Sequence, residues 1–190
     1  MADYFYKEAV KLHVKNAVVY NDYGWFLLMC NRLGDAYDQL SLAVQYDPKN
    51  PCYLNNLGAC LCLQNRPDSA VELFVQANGG DRYEAFFNVA SIAWNRGDAN
   101  TTAVYLDKVL VDRPTHSNAR KLFEELKKYA AQLKKQQEQA EKARQEQDAA
   151  NAAAANGPTP SYKPQSAPSQ IRPKPVVPAR IIPAKIGPNR

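Results

Sequence analysis

The 190-residue chain carries 24 Lys and Arg against 19 Asp and Glu, a formal net charge of +5, with 13 prolines and four cysteines. Nine of the prolines follow Asn156, and Gly157–Arg190 holds six basic residues and no acid, so the first 156 residues, with 18 basic against 19 acidic, are close to neutral. The basic excess therefore describes a tail, and its thinly spaced charges without interleaved aromatics exclude reading the chain as a nucleic-acid-binding fold.

The opening MADYFYKEAV lacks the apolar run of a secretory signal, and no stretch approaches membrane-spanning length. The expectation is a cytoplasmic protein without direct membrane insertion. If Met1 follows a removed signal, a periplasmic or envelope-associated protein is expected instead.

Residues 1–16 put Ala2, Tyr6, Ala9, Val10 and His13 on one helical face. Ala2, Tyr6 and Ala9 stand 34 residues before Ala36, Leu40 and Ala43. The segment thus reads as the second helix of a repeat whose first helix is absent, either as a natural odd-helix cap or because the sequence is a piece of a longer protein.

Residues 17–50 form the first complete unit: a helix over Ala17–Cys30, a turn at Asn31–Asp35 containing Gly34, a helix over Ala36–Tyr46, and a stop at Asp47-Pro48. Residues 51–82 repeat it. Gly24, Ala36 and Ala43 recur as Gly58, Ala70 and Ala77, each 34 residues on. Residues 83–116 carry a third, looser copy, with Ala90 in the glycine's place, Thr102 for the first alanine, Val109 for the last, and Gly97-Asp98 in the turn. A period in this range predicts stacked helix pairs, each too small to bury its own apolar face, with small residues where helices cross closely.

Residues 117–155 read as one long helix that begins after capping candidates at His116, Ser117 and Asn118. Its apolar stripe, Ala119, Leu122, Phe123, Leu126, Tyr129 and Leu133, predicts a cap on the third unit; beyond Leu133 only alanine remains to be buried, so that half projects into solvent. A coiled coil is a weak reading, because Gln136, Ala140 and Ala143 are poor seam residues. Residues 156–190 form a basic, proline-rich tail whose composition suits polyproline II or disorder. Within it Pro175, Pro178 and Arg180 fit a proline-groove ligand followed by a basic anchor.

Leu57-Gly58, Ala70, Phe74, Ala77 and the recurring Asp-Pro stop resemble the tetratricopeptide repeat family over about residues 1–130. The resemblance implies an all-α fold, a right-handed α–α solenoid with a long C-terminal capping helix. It also implies a concave groove lined by the first helix of each pair. Two residues before Gly24, Gly58 and Ala90 stand Asp22, Asn56 and Asn88, places where related arrays use an amide ladder on the backbone of an extended peptide. Asn21 and Asn55, one residue earlier, face nearly the same way. An amide offers both a donor and an acceptor, so it pairs with a peptide bond whatever the neighbouring side chains. Trp25 and Trp94 take places that face the groove by the same analogy, and suit either anchoring a ligand or packing between helices.

The carboxylate clamp of the chaperone-binding subfamily is not expected. Its charged places are filled by Asn21, Trp25, Glu84 and Asn88, and only Asn56 matches.

No catalytic grouping is visible: His13 and His116 lie at opposite ends of the repeats, and no phosphate-cradling loop or nucleophile elbow occurs. Cys30, Cys52, Cys60 and Cys62 lack metal-site or redox spacing and are expected to be small buried apolar residues, with Cys62 turned toward the groove. No cofactor or metal is expected.

The function expected is therefore that of a non-enzymatic protein-interaction adaptor or assembly subunit, holding a partner's extended peptide or helix in the groove. The alternatives are a structural piece of a larger, envelope-associated complex, and self-assembly through the proline-rich tail.

Overall fold

The computed structural model describes residues 1–13 and 15–155, and eight helices lie among them. They are α1 (Ala2–Leu12), α2 (Ala17–Met29), α3 (Leu33–Tyr46), α4 (Pro51–Leu63), α5 (Pro67–Ala77), α6 (Arg82–Asn95), α7 (Ala99–Asp112) and α8 (Ser117–Ala155). The tail motif at Pro175, Pro178 and Arg180 lies outside the described residues.

The helices pair as the 34-residue period predicts: α2 packs chiefly on α3, α4 on α5 and α6 on α7, while α3 meets α4 and α5 meets α6 across the joints. First helices also touch their counterparts, α2 on α4 and α4 on α6, whereas no comparable packing joins α3 to α5 or α5 to α7. The first helices thus make a continuous inner row, and the second helices an outer one. This is an all-α solenoid of tetratricopeptide-type pairs.

The reason for the recurring glycines is direct. A Cβ on Gly24 would lie 2.6 Å from Leu40 Cγ, and one on Gly58 would lie 2.8 Å from Phe74 Cε1. Both distances are inside van der Waals contact, so α2 and α4 approach Leu40 and Phe74 this closely only with glycine at these places, whereas α6 accommodates Ala90 at its own crossing. Around these crossings Leu40, Ala36, Ala43 and Ala70 are fully buried. Ala77 differs from its equivalent Ala43 in being only half-buried: α5 ends there and runs into Gly79 and Gly80, which have no side chain to cover it.

Helix starts follow local chemistry. Each first helix has a side-chain cap: Asn16 accepts from Val18 N at 3.0 Å, Asn50 from Cys52 N at 3.1 Å, and Asp81 from Tyr83 N at 2.9 Å. Asp98 caps α7 by accepting from Thr101 N at 3.0 Å.

The turns inside the pairs correct one sequence expectation. The left-handed residues are Asn31 (φ 58°), Asn65 (φ 63°) and Gly97 (φ 79°) at equivalent places, while Gly34 is already inside α3, which begins at Leu33 and not at Ala36. Asparagine tolerates this conformation, and the backbone closes behind it by bonds from Arg32 N to Leu27 O and from Arg66 N to Leu61 O, each 2.9 Å.

Side chains then stitch one pair to the next. Gln64 Nε2 donates to Leu33 O at 2.9 Å, Arg96 Nη1 donates to Cys62 O, and Tyr105 OH donates to Asp68 Oδ1 at 2.5 Å.

The chain divides into two units, the first comprising residues 1–123 among those described. It holds the repeats and the start of α8, where Ala119 and Leu122 are buried. His116 caps α8: its Nδ1 accepts from Ala119 N at 3.1 Å, which places the ring proton on Nε2, 3.0 Å from Glu84 Oε1. From Glu124 to Ala155 α8 belongs to the second unit, and its charged side chains are exposed, with i,i+4 pairs such as Lys134–Glu138 at 3.9 Å.

Candidate functional site

The inner row brings together part of the predicted site. Asn21 on α2 and Asn56 on α4 are buried, 7% and 8% exposed, and Asn56 Nδ2 donates to Asn21 Oδ1 at 2.8 Å. Asn21 Nδ2 in turn reaches Asp22 Oδ1 at 3.4 Å, so a short polar relay runs from α4 across α2 to an exposed carboxylate. Since an amide with its polar atoms out of water needs partners, this relay explains how two asparagines sit inside a helix seam.

The relay runs one residue off the expected register. Asn56 bonds Asn21, 35 residues earlier, and not Asp22, the residue at its equivalent place.

Asn55, one residue along α4, is half-buried, and its Oδ1 is shielded from solvent with no hydrogen-bond partner among the described residues. Of the predicted set, this is the buried polar atom that the described residues leave without a partner. Asn88 on α6 is half-buried, without a bond to the Asn21–Asn56 pair. Trp25 is half-buried and packs against the core built on Tyr23, Leu27 and Leu40. Trp94 is half-buried near the end of α6.

A residue that sequence reading did not place in the site is Cys52. It lies one turn before Asn56, with Sγ 3.8 Å from Asn56 Nδ2, and burial followed by the charge of Asp22 raises its thiol pKa. The spacing of four on one helix was the available signal.

The cysteine expectation needs two corrections. Cys30 is exposed, because it stands just past the end of α2 at the turn. Cys52 is only half-buried, while Cys60 and Cys62 are buried; burial pushes the Cys62 thiol up to about 12 and the Cys60 thiol up to about 11.

Among the described residues no group of three His, Cys, Asp or Glu is placed to hold a metal ion. No helix among them is long and apolar enough to cross a membrane.

No family model matches the chain, and no curated protein matches it. Solved structures similar to it include PilW, a widely conserved type IV pilus biogenesis factor, at 23% identity and a TM-score of 0.47, over 67% of this chain and 60% of that one. MamA is similar at 18% identity and a TM-score of 0.46, over 74% of this chain and 90% of that one. YrrB, a TPR protein with an unusual peptide-binding site, is similar at 18% identity and a TM-score of 0.31, over 65% and 82%. By the pairing, crossings and period of its own helices, the chain is an array of stacked helix pairs.

Proposed function

We propose that the chain is a non-catalytic interaction adaptor that holds an extended peptide of a partner protein along the inner row of α2, α4 and α6. The observation that carries this reading is the unpartnered Oδ1 of Asn55 beside the Asn21–Asn56 pair. Left where it is, this acceptor costs about 1–3 kcal/mol, and a rotation of the half-buried side chain that turns it toward the inner row lets a peptide N–H recover that cost without regard to sequence. The neighbouring relay holds α2 and α4 in register, so Asn55 is presented from a fixed frame and not from a mobile loop. Asn88, at the place on α6 equivalent to Asn56, offers a second amide to the same peptide. Trp25 and Trp94 give broad aromatic surface for side chains on either side of it, and exposed Asp22 favours a basic residue near the α2 end.

The test is selection from a display library of unstructured peptides on the folded chain, followed by titration of the selected peptide. Asn55→Ala with Asn88→Ala is expected to weaken binding at least tenfold, while the helical circular-dichroism signal and melting temperature stay close to those of the parent. Peptides that bind the double variant as tightly as the parent would overturn the reading. So would a library that yields no binder.

A further inference from the structure

The helix pairs and the tail carry opposite charge. Residues 1–116 hold thirteen acids against ten bases, whereas residues 157–190 hold six bases and no acid. The inner row shares the acidic bias: the charged residues of α2, α4 and α6 are Asp22, Arg82 and Glu84, and Arg82 turns to Glu72 of α5 at 3.6 Å. Asp22 is exposed, and the side chain of Glu84, one turn before Asn88, stays 46% exposed while holding His116.

The outer helices carry acids too, so charge draws a basic segment to the repeats without choosing a face. The choice falls to the amide. Asn55 Oδ1 lacks a partner among the described residues, and what it needs is a main-chain N–H from an extended strand.

In a tail with nine prolines, uninterrupted N–H groups are scarce. Residues 179–187, ARIIPAKIG, join two runs of four across a single proline, and the tail offers a run of four only once more, at 169–172. The same nine residues bring Arg180 and Lys185 for the acids, and Ile181, Ile182 and Ile186 for the half-buried Trp25 and Trp94. Their reach is sufficient. Residues 156–178 span about 70 Å when extended, more than the roughly 50 Å length of Glu124–Ala155, so the segment can return to the repeats whatever course that helix takes.

We propose that residues 179–187 occupy the inner row of their own chain, as an internal stand-in for the partner peptide. This rests on the reading of the inner row as a peptide site. The tether holds the segment at an effective concentration of about 1 mM, so a contact that is weak between separate molecules still fills the row. A tighter partner peptide displaces it, and the tail sets the affinity that a partner must exceed.

The experiment compares the full chain with a full-length variant carrying Arg180→Glu, Ile181→Ser, Ile182→Ser and Lys185→Glu, of equal helicity. A synthetic peptide of residues 179–187 is expected to bind the variant, to bind the parent about tenfold more weakly, and to lose the variant when Asn55→Ala and Asn88→Ala are added. Iodoacetamide is expected to label Cys52, one turn before Asn56, faster in the variant than in the parent, with Cys30 unchanged. Equal peptide affinity and equal labelling in the two chains would overturn the proposal. Binding that ignores the Asn55 and Asn88 substitutions would overturn it too, by placing the tail on another face. Concentration-dependent assembly of the parent in sedimentation, absent from the variant, would assign the row to a neighbour's tail instead. A library-selected peptide that binds both chains equally sinks the tail's role alone, whereas a library that yields no binder to either chain sinks the inner-row reading itself.

Discussion

The ring of Phe74 occupies the space in which a side chain at Gly58 would begin: a Cβ there would lie 2.8 Å from Cε1 and 2.9 Å from Cζ. Phe74 is 2% exposed, so the ring has little room to retreat. Gly58→Ala gains up to about 1 kcal/mol in helix propensity and loses about 1–3 kcal/mol to overpacking. The variant is expected to melt lower than the parent. Gly24→Ala is expected to cost more, because its Cβ would also lie 3.2 Å from the backbone nitrogen of Leu40. Thermal unfolding followed by circular dichroism measures both, and Gly58→Ala with Phe74→Leu should recover part of the loss.

The Asn21–Asn56 bond joins two repeats through buried amides, and it predicts a coupling. Asn56→Ala leaves Asn21 Oδ1 without its 2.8 Å donor. A loss of about 1–3 kcal/mol in urea unfolding is expected for the single variant. Asn21→Ala with Asn56→Ala should cost less than the sum of the two single changes, by about 0.5–1.5 kcal/mol. Strict additivity would mean that the two amides do not act together.

How much of this was legible in the sequence depended on whether a feature obeys the 34-residue period. Gly24 and Gly58, and likewise Ala36 and Ala70, are in phase, and the crossings they permit follow from comparing the chain with itself. The amide bond is out of phase by one residue: aligning repeats pairs Asn21 with Asn55, whereas α2 and α4 meet so that Asn21 bonds Asn56. Asn31 falls inside the turn that the sequence predicts, but no local pattern marks it or Asn65 as the left-handed residue, and Gly34, the glycine of that turn, lies in a helix. Cys30 was read with the buried cysteines since no local pattern separates the last residue of a helix from the first of a turn.

Asp3 ties α1 to the array, and its titration gives a pH dependence. Lys7 first, then Tyr23 and Arg32, hold its carboxyl down from 3.8 to about 2. A carboxyl depressed in the folded state contributes stability that is present above the unfolded value and lost as pH falls through the folded one. Docking of α1 is therefore expected to hold at pH 5 and to weaken between about pH 4 and pH 2. The Tyr6–Tyr23 stack offers the readout, through the ring resonances of both tyrosines in NMR spectra. Asp3→Asn should loosen α1 at neutral pH and remove this part of the acid dependence.

The four thiols should separate by reactivity. Since the thiolate is the attacking species, the exposed Cys30 reacts at neutral pH, while Cys60 and Cys62, pushed up to about 11 and about 12 by burial, are shielded in both charge and access. Cys52, half-buried with its pKa raised by burial and by Asp22, should fall between. A short exposure to iodoacetamide, read by peptide mass spectrometry, is expected to label Cys30 first and Cys52 more slowly. Cys60 and Cys62 should become labelled only with urea unfolding, and together, because both lie on α4. Cys52 also carries a test of the inner row: a peptide bound beside Asn55 and Asn56 should slow labelling of Cys52 and leave that of Cys30 unchanged. Equal protection of both thiols, or of neither, would place the peptide elsewhere.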